Sequence, residues 1–477
     1  MTVFGYRAFV SAAIAEQRWS NNKMKMGIKI AVAGSGISGL SCAYRLAEAG
    51  YNVTLFEAND YFGGHTHTVD VTLDGYTHGV DTGFLVFNKK TYPNLIALFA
   101  ELKVETAATD MSFSVKLPLA NRTLEWAGGN LDAVFAQRRN IVSPRFHQML
   151  RDILRFNQNA TKLAMDADAH SGLQLQAESD QEMSLGAYLT QYSYSKEFRD
   201  WYLLPMAGCI WSCPTEQMLA FPLKSFLHFC HNHGLLQIND RPQWQTVRGG
   251  ARRYVDKMLA KIPNKHLNTA IESVTRTSIS NITKIKVRTR HGEELNEQEF
   301  DHIVLASHSD QSLRILQDAN TAEKSLLSAI TYQPNTAVLH TDTSCLPKQK
   351  KTWSAWNYQS AQDSHEPRVC VHYLINQLQP LPFKQQVIVS LNPIDAPHPD
   401  SVLGSYDYAH PVFDAKAIAA QRKLPFIQGK QNTWFAGAWT GYGFHEDGLK
   451  SGLAIAQAIM EQSEEFAIYT PQLLESA

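Results

Sequence analysis

The chain has 477 residues, 44% of them hydrophobic and 19% charged, with 44 Lys and Arg against 45 Asp and Glu for a formal net charge of −1. This balance excludes the strong basic bias of a nucleic-acid binder, and the apolar content excludes disorder. No apolar run reaches the roughly 18 residues that a membrane-spanning helix needs, and the length predicts two or three domains.

Six cysteines, at 42, 209, 213, 230, 345 and 370, are too few and too scattered for a disulfide scaffold, which points to a reducing, cytoplasmic compartment. Residues 1–25 read as an N-terminal extension. Their apolar stretch 8–15 ends in Ala13-Ile14-Ala15, faintly like a signal-peptidase site, but only Arg7 precedes it. Residues 1–23 are expected to be dispensable, with a chain beginning at Met24 folding by itself.

Residues 28–33 form an apolar run that predicts a buried strand, followed at once by Gly34-Ser35-Gly36-Ile37-Ser38-Gly39. Residues 40–49 predict a helix closed by Gly50, and 52–56 predict a second strand ending at Glu57. Strand, glycine turn, helix, strand and acid within about 30 residues is a dinucleotide-binding pattern. Gly34 permits the tight turn, Gly36 the close approach of a pyrophosphate and Gly39 the packing of helix on strand. The helix N-terminus offers N–H groups to phosphate, and Glu57 can accept hydrogen bonds from ribose hydroxyls.

Farther along, Val247-Arg248-Gly249-Gly250 precedes a helical pattern over 251–261, and 267–271, 282–289 and 300–306 predict strands. Residues 145–204 read as helical, whereas 334–394 alternate as in a sheet. Near the end, 432–448 reads as a buried strand and a glycine loop that run into a helix over 449–456 with small residues on one face.

Glu57-Ala58 followed by Gly63-Gly64-His65-Thr66 resembles the flavoprotein superfamily of monoamine oxidase, protoporphyrinogen oxidase and phytoene desaturase, and the segment from Asn432 to Ala456 resembles its C-terminal flavin motif. The sequence departs from that pattern at Tyr61 and His65, where the superfamily usually carries arginine. The resemblance implies an α/β fold, with a glutathione-reductase-like FAD-binding Rossmann domain and an α+β substrate domain as in amine oxidases. It implies FAD as cofactor, held by Gly34, Ser35, Gly36, Ile37, Ser38, Gly39, Glu57, Ala58, Gly63, Gly64, His65 and Thr66, by the backbone of Ile271, and by Gly437, Ala438, His445, Glu446, Asp447 and Leu449. The superfamily's cysteinyl attachment needs a Cys beside the C-terminal motif. None is there, so noncovalent FAD is expected, with His65 and His67 as hydrogen-bonding groups near the pyrophosphate.

The implied FAD-binding domain comprises 26–105, 242–312 and 425–465, the substrate domain 106–241 and 313–424, and a tail 466–477. No second glycine turn follows a strand to hold a nicotinamide nucleotide, which favours an oxidase or desaturase over a reductase. Phe84, Trp211, Trp356 and Tyr442 are candidate substrate-wall residues. No catalytic base is identified: Lys348, Lys350 and Lys351 lie in a polar loop outside any motif, and Tyr442 or Phe444 falls near an aromatic-cage position of amine oxidases. Asp81 is an acid unusual for a core, explicable as the cap of a turn. His228, Cys230, His231 and His233 with Cys209 and Cys213 lack a paired Cys-x-x-Cys, so no metal is expected.

His78-Gly79-Val80-Asp81-Thr82-Gly83-Phe84, Leu204-Pro205-Met206-Ala207-Gly208-Cys209 and Trp353-Ser354-Ala355-Trp356-Asn357-Tyr358 resemble a narrower bacterial branch, related to the amino-terminal flavin domain of plant cyclopropane fatty-acid synthases. That resemblance implies desaturation or oxidation of fatty-acyl chains, phospholipid-borne, unsaturated or methyl-branched, with peripheral contact at the inner membrane surface and a cyclopropane-synthase-like methyltransferase as partner. The alternatives are an amine oxidase releasing hydrogen peroxide and a flavin-binding partner of the methyltransferase without turnover.

Overall fold

The computed structural model describes residues 25–170, 183–211, 215–237, 241–280, 282–360 and 370–474; residues 1–24 of the expected N-terminal extension and Cys213 lie outside them. Packing divides the chain into two compact units. The first comprises the residues up to His67, Tyr254–Ile330 and those from Ala420 onward; the second comprises Thr68–Arg253 and Thr331–Ala419. The sequence reading divides the chain by its motif-bearing stretches, with boundaries at 105, 242, 312 and 425. The packing cuts fall elsewhere because Thr68–Leu73 pairs with Tyr76–Asp81, and Trp244–Val247 pairs with both Phe87–Asn88 and Thr106–Thr109.

In the first unit, β1 (Lys29–Ala33) leads through the glycine turn into α1 (Ile37–Glu48) and back through β2 (Asn52–Phe56). β1 is apolar because it is buried on both faces at the centre of a parallel sheet; Ile30, Ala31 and Val32 are fully buried. α1 ends where Gly50, at φ +91°, donates to the Ala47 carbonyl. Beyond it come β3 (Asn264–His266), β4 (Thr269–Ile279), β5 (Ile282–His291), β6 (Glu294–Phe300), β7 (His302–Leu305) and β8 (Thr433–Phe435). The parallel sheet runs β3-β2-β1-β7-β8, and β4-β5-β6 forms an antiparallel sheet of its own. The last helix, α2 (His445–Leu474), runs through most of the stretch that the sequence reading sets aside as a tail.

The second unit is built on a seven-stranded sheet in the order Val402–Val412, Thr331–His340, Ile388–Leu391, Cys370–Leu374, Trp356–Gln359, Phe113–Leu119 and Arg122–Ala127. Only Trp356–Gln359 and Phe113–Leu119 pair in parallel within it. Helices including Pro144–His170, Leu204–Trp211 and Leu223–Asn232 belong to the same unit. Among the described residues no helix is long and apolar enough to cross a membrane.

Candidate functional site

The three glycines of the first turn meet three different demands. Gly34 sits at φ +97°, where a Cβ would lie 3.0 Å from the Ala306 carbonyl oxygen. A Cβ on Gly39 would lie 2.0 Å from the Gly34 carbonyl oxygen and 3.0 Å from the Ala306 Cβ, so helix and strand pack with no room for a side chain. A Cβ on Gly36 would meet nothing within 4 Å. Gly36 is also the N-cap of α1, no side chain caps that terminus, and no acid lies in its first turn. An open space at an uncapped helix N-terminus fits a diphosphate.

Glu57, buried at the end of β2, ties the turn to the next loop. Its Oε2 accepts from the Ser35 N–H at 2.9 Å and from the Ser35 hydroxyl at 2.5 Å, and its Oε1 accepts from the Asn59 N–H at 3.0 Å. A carboxylate offers about four acceptor sites, so Oε1 keeps capacity for a ribose hydroxyl. The paired glycines fold back onto the turn: the Gly63 N–H donates to Ser35 Oγ at 3.0 Å, and a Cβ on Gly64 would lie 3.1 Å from the Gly36 Cα. Ala58 is exposed beside Glu57, and the ring of His65 lies 6.4 Å from that of His308. β4 docks on this loop through Thr269 N–H to the Glu57 carbonyl at 2.8 Å, which brings Ile271 to the same edge.

The C-terminal motif packs against the first. The Gly437 N–H donates to Ser451 Oγ at 3.0 Å, and the Trp439 indole, whose Nε1 donates to the Ser307 carbonyl at 3.2 Å, fills the space where a Gly437 Cβ would stand. Asp447 Oδ2 accepts from the Tyr442 and Phe444 amides at 3.1 and 3.0 Å and holds the loop leading into α2; burial pushes its carboxyl up to about 6. A Cβ on Gly448 would meet Ile37 and Ser38, and one on Gly452 would lie 2.1 Å from the Ser38 carbonyl oxygen. The first turns of α1 and α2 therefore lie against each other, and their positive dipole ends share one region at the carboxyl ends of the parallel strands. Glu446 and Leu449 are buried in that first turn of α2, and Ala438 starts the short turn before it.

One residue that binds these pieces was not singled out from the sequence. The Tyr254 hydroxyl lies 2.6 Å from His445 Nε2 and 2.9 Å from Thr66 Oγ1, joining the paired-glycine loop to the start of α2. Burial holds His445 far down, at about 3, so the ring is neutral. A single tyrosine in an amphipathic helix carries no sequence signal beyond that of a core residue.

The wall candidates divide between the units. Phe84 packs in the second unit, with ring centroids 6.5 Å from Phe87 and 6.4 Å from Tyr92. Trp211 is enclosed by Phe221, Phe226 and Phe229 at 5.2, 5.8 and 4.6 Å. Trp356 stands edge-on to Tyr373 at 5.1 Å, and its buried Nε1–H meets no acceptor among the described residues. Tyr442 belongs instead to the first unit, in the loop fixed by Asp447. Asp81 caps a turn: it accepts from the Ala251 amide, the Thr68 hydroxyl and the Gln379 amide, while burial pushes its carboxyl up to about 7. In the histidine-rich helix, His228 Nε2 lies 2.8 Å from Asn232 Nδ2 and His233 stacks on Phe229; among the described residues no group of three or more His, Cys, Asp or Glu could hold a metal ion.

Comparison with known proteins agrees with this geometry. The family described as flavin containing amine oxidoreductase matches residues 37–460. The 15-cis-phytoene desaturase of Synechococcus elongatus is 39% identical over 79 residues, 16% of each chain. A probable flavin-containing monoamine oxidase A of Dictyostelium discoideum is 23% identical over 275 residues, 55% of this chain and 54% of that protein. The match thus spans from about a sixth to about half the length of these curated relatives. Among solved structures, a fatty acid isomerase from P. acnes superposes with a TM-score of 0.62 at 15% identity, over 90% of this chain and 98% of that one. Putrescine oxidase with bound putrescine gives a TM-score of 0.64 at 15% identity, over 91% and 99%. At such identities the superpositions speak for the fold alone, a Rossmann-like parallel-sheet unit with a mixed α/β second unit. The chain belongs to the family of flavin-containing amine oxidoreductases.

Proposed function

We propose that the chain desaturates or oxidises fatty-acyl chains, holding FAD noncovalently at the paired first turns of α1 and α2. The observation that carries the cofactor placement is the open space at Gly36, flanked by the uncapped α1 terminus and backed by Glu57. In this reading Glu57 accepts from the ribose, the backbone of Ile271 flanks the adenine, and residues 34–39 and 63–66 hold the diphosphate. Gly437, Ala438 and residues 445–449 hold the flavin end. Bound FAD supplies a two-electron acceptor for a substrate C–H bond. The N-terminus of α2 contributes positive potential where negative charge must be stabilised, and Asp447 keeps its loop rigid.

The acyl assignment rests on the resemblance of residues 78–84, 204–209 and 353–358 to the flavin domain of plant cyclopropane fatty-acid synthases, and the rings packed around Phe84, Trp211 and Trp356 are compatible with an apolar substrate. The fatty acid isomerase carries a substrate of this kind in its name, and the 15-cis-phytoene desaturase carries the reaction type. The test is incubation of the FAD-loaded protein with unsaturated or methyl-branched acyl phospholipids and mass analysis of the recovered chains. A product lighter by one molecule of hydrogen establishes desaturation; an unchanged mass with a displaced double bond establishes isomerisation. Untouched lipid together with hydrogen peroxide formed from amines overturns the acyl reading in favour of an amine oxidase. Untouched lipid, no oxidised amine and a stable complex with a cyclopropane-synthase-like methyltransferase establish the partner role instead.

A further inference from the structure

The second unit carries a small apolar surface that its own fold leaves in water. Leu131, in the short helix Leu131–Val134, is 77% exposed; Ile141 and Val142, at the end of the short helix Arg138–Val142, are 48% and 81% exposed. The two helices are held together by ion pairing, not by these side chains. Asp132 bonds Arg138 at 2.5 Å and Lys351 at 2.7 Å, and Asn140 accepts from Arg122 at 3.0 Å. Beneath them Phe135 packs on Phe146 at 5.8 Å and Phe146 on Trp126 at 6.0 Å, so the segment is anchored from below while its aliphatic tips point outward.

The charge around these tips is predominantly positive. Arg138 and Arg139 share the short helix with Ile141 and Val142, Arg145 follows it, Arg122 reaches Asn140 and Lys351 reaches Asp132, while the carboxylates of Asp132 and of Glu197, which pairs with Arg145 at 3.6 Å, offset part of this charge. The chain as a whole carries −1, so this cationic excess is local. Protruding aliphatic side chains ringed by Arg and Lys combine the two attractions of an interfacial anchor, apolar insertion and pairing with acidic headgroups. A stable protein–protein contact covers roughly 800 Å² on each partner, far more than three aliphatic side chains supply.

We propose that the surface around Leu131, Ile141 and Val142 docks the protein on the face of an anionic lipid bilayer. Leu131 and Val142 enter the headgroup boundary, and the surrounding arginines and lysines meet the lipid phosphates. Each aliphatic side chain moved from water to the acyl boundary raises the partition constant about tenfold or more, and each cation beside an anionic surface raises it about fivefold. Vesicle binding needs no turnover, so its outcome is independent of which substrate reduces the flavin.

The experiment is flotation of the FAD-loaded full chain with vesicles of phosphatidylcholine, alone or mixed with phosphatidylglycerol. The wild type should float with the mixed vesicles, lose binding as salt rises, and bind phosphatidylcholine alone weakly. The double variant Leu131→Asp with Val142→Asp should keep its flavin spectrum and melting temperature yet bind at least about a hundredfold more weakly. Arg138→Gln with Arg139→Gln should bind roughly 10- to 30-fold more weakly, and Lys416→Gln, a remote exposed cation, should bind like the wild type. Equal flotation of the double aspartate variant overturns the proposal, as does binding that ignores phosphatidylglycerol. A wild-type dimer in solution that Val142→Asp converts to monomer, with no flotation by either, assigns the surface to a second copy of the chain and overturns it as well.

Discussion

At Glu57 a single carboxylate serves three protein donors, and the ribose is expected as a fourth. Glu57→Ala removes one charge-assisted bond to the cofactor, worth about 1.5–3 kcal/mol, and leaves the Ser35 and Asn59 amides without their acceptor. FAD affinity should fall about tenfold to a hundredfold by fluorescence titration; wild-type affinity would show that Glu57 has no part in the site. Acid-precipitated wild-type protein should lose its yellow colour to the supernatant, and colour retained on the pellet would mean a covalent flavin. Tyr254→Phe deletes the hydroxyl between His445 and Thr66, leaving two buried polar atoms to find other partners, and should lower stability by about 1–3 kcal/mol in a denaturant melt. An unchanged midpoint would show that the two pieces are joined by other contacts. Glu57 was legible in the sequence because its distance from the glycine turn is fixed by the length of one strand and one helix. Tyr254 was not, because its partners are 188 and 191 residues away.

Between elements, the contact of α1 with α2 depends on glycine. A Cβ at position 452 would sit 2.1 Å from the Ser38 carbonyl oxygen, so Gly452→Ala must push the two helices apart. Overpacking of this kind costs about 1–3 kcal/mol, and both melting temperature and FAD occupancy should drop. Gly36→Ala is the contrasting case. Its backbone lies at φ −57° and the added methyl meets no protein atom, so the apoprotein should melt as the wild type does while FAD affinity collapses. Retention of FAD by the Gly36→Ala variant would place the diphosphate elsewhere. The β1-α1-β2 unit was legible because buried runs and glycine punctuation coincide. The strand expected over 267–271 is instead β3 followed by β4, broken at Asn268 with φ +51°. The apolar Leu267 drew the boundary, whereas pairing of His266 with Phe56 in the parallel sheet sets it. The helical reading of 145–204 holds for most of its described length, but Arg199–Leu203 is a π-turn. Pro205 has no N–H for the Trp201 carbonyl, a local cause that hydrophobic spacing does not register.

For the molecule as a whole, buried histidines set the response to acid. Burial holds His233, His302 and His340 at about 4 and His372 and His445 at about 3, against 6.5 for a free ring. As pH falls from 6.5 toward 4 the unfolded chain takes up protons that the fold refuses, and stability is lost. Asp81 and Asp447, raised by burial to about 7 and about 6, act in the opposite direction: the fold keeps their protons where the unfolded chain has released them. Five rings outweigh two carboxyls, so the melting temperature should be lower at about pH 5 than at about pH 7; a flat or inverted profile would mean that these rings are protonated in the fold. The two-unit division was only partly legible, since segments such as 68–81 and 244–247 are assigned by strand pairing across long separations and not by local pattern. The most direct test of the acyl-oxidoreductase account is anaerobic titration of the FAD-loaded protein, following flavin absorbance, with acyl phospholipids and separately with amines. Bleaching by an unsaturated or methyl-branched acyl lipid and none by the amines is the predicted result; bleaching by amines alone would contradict it.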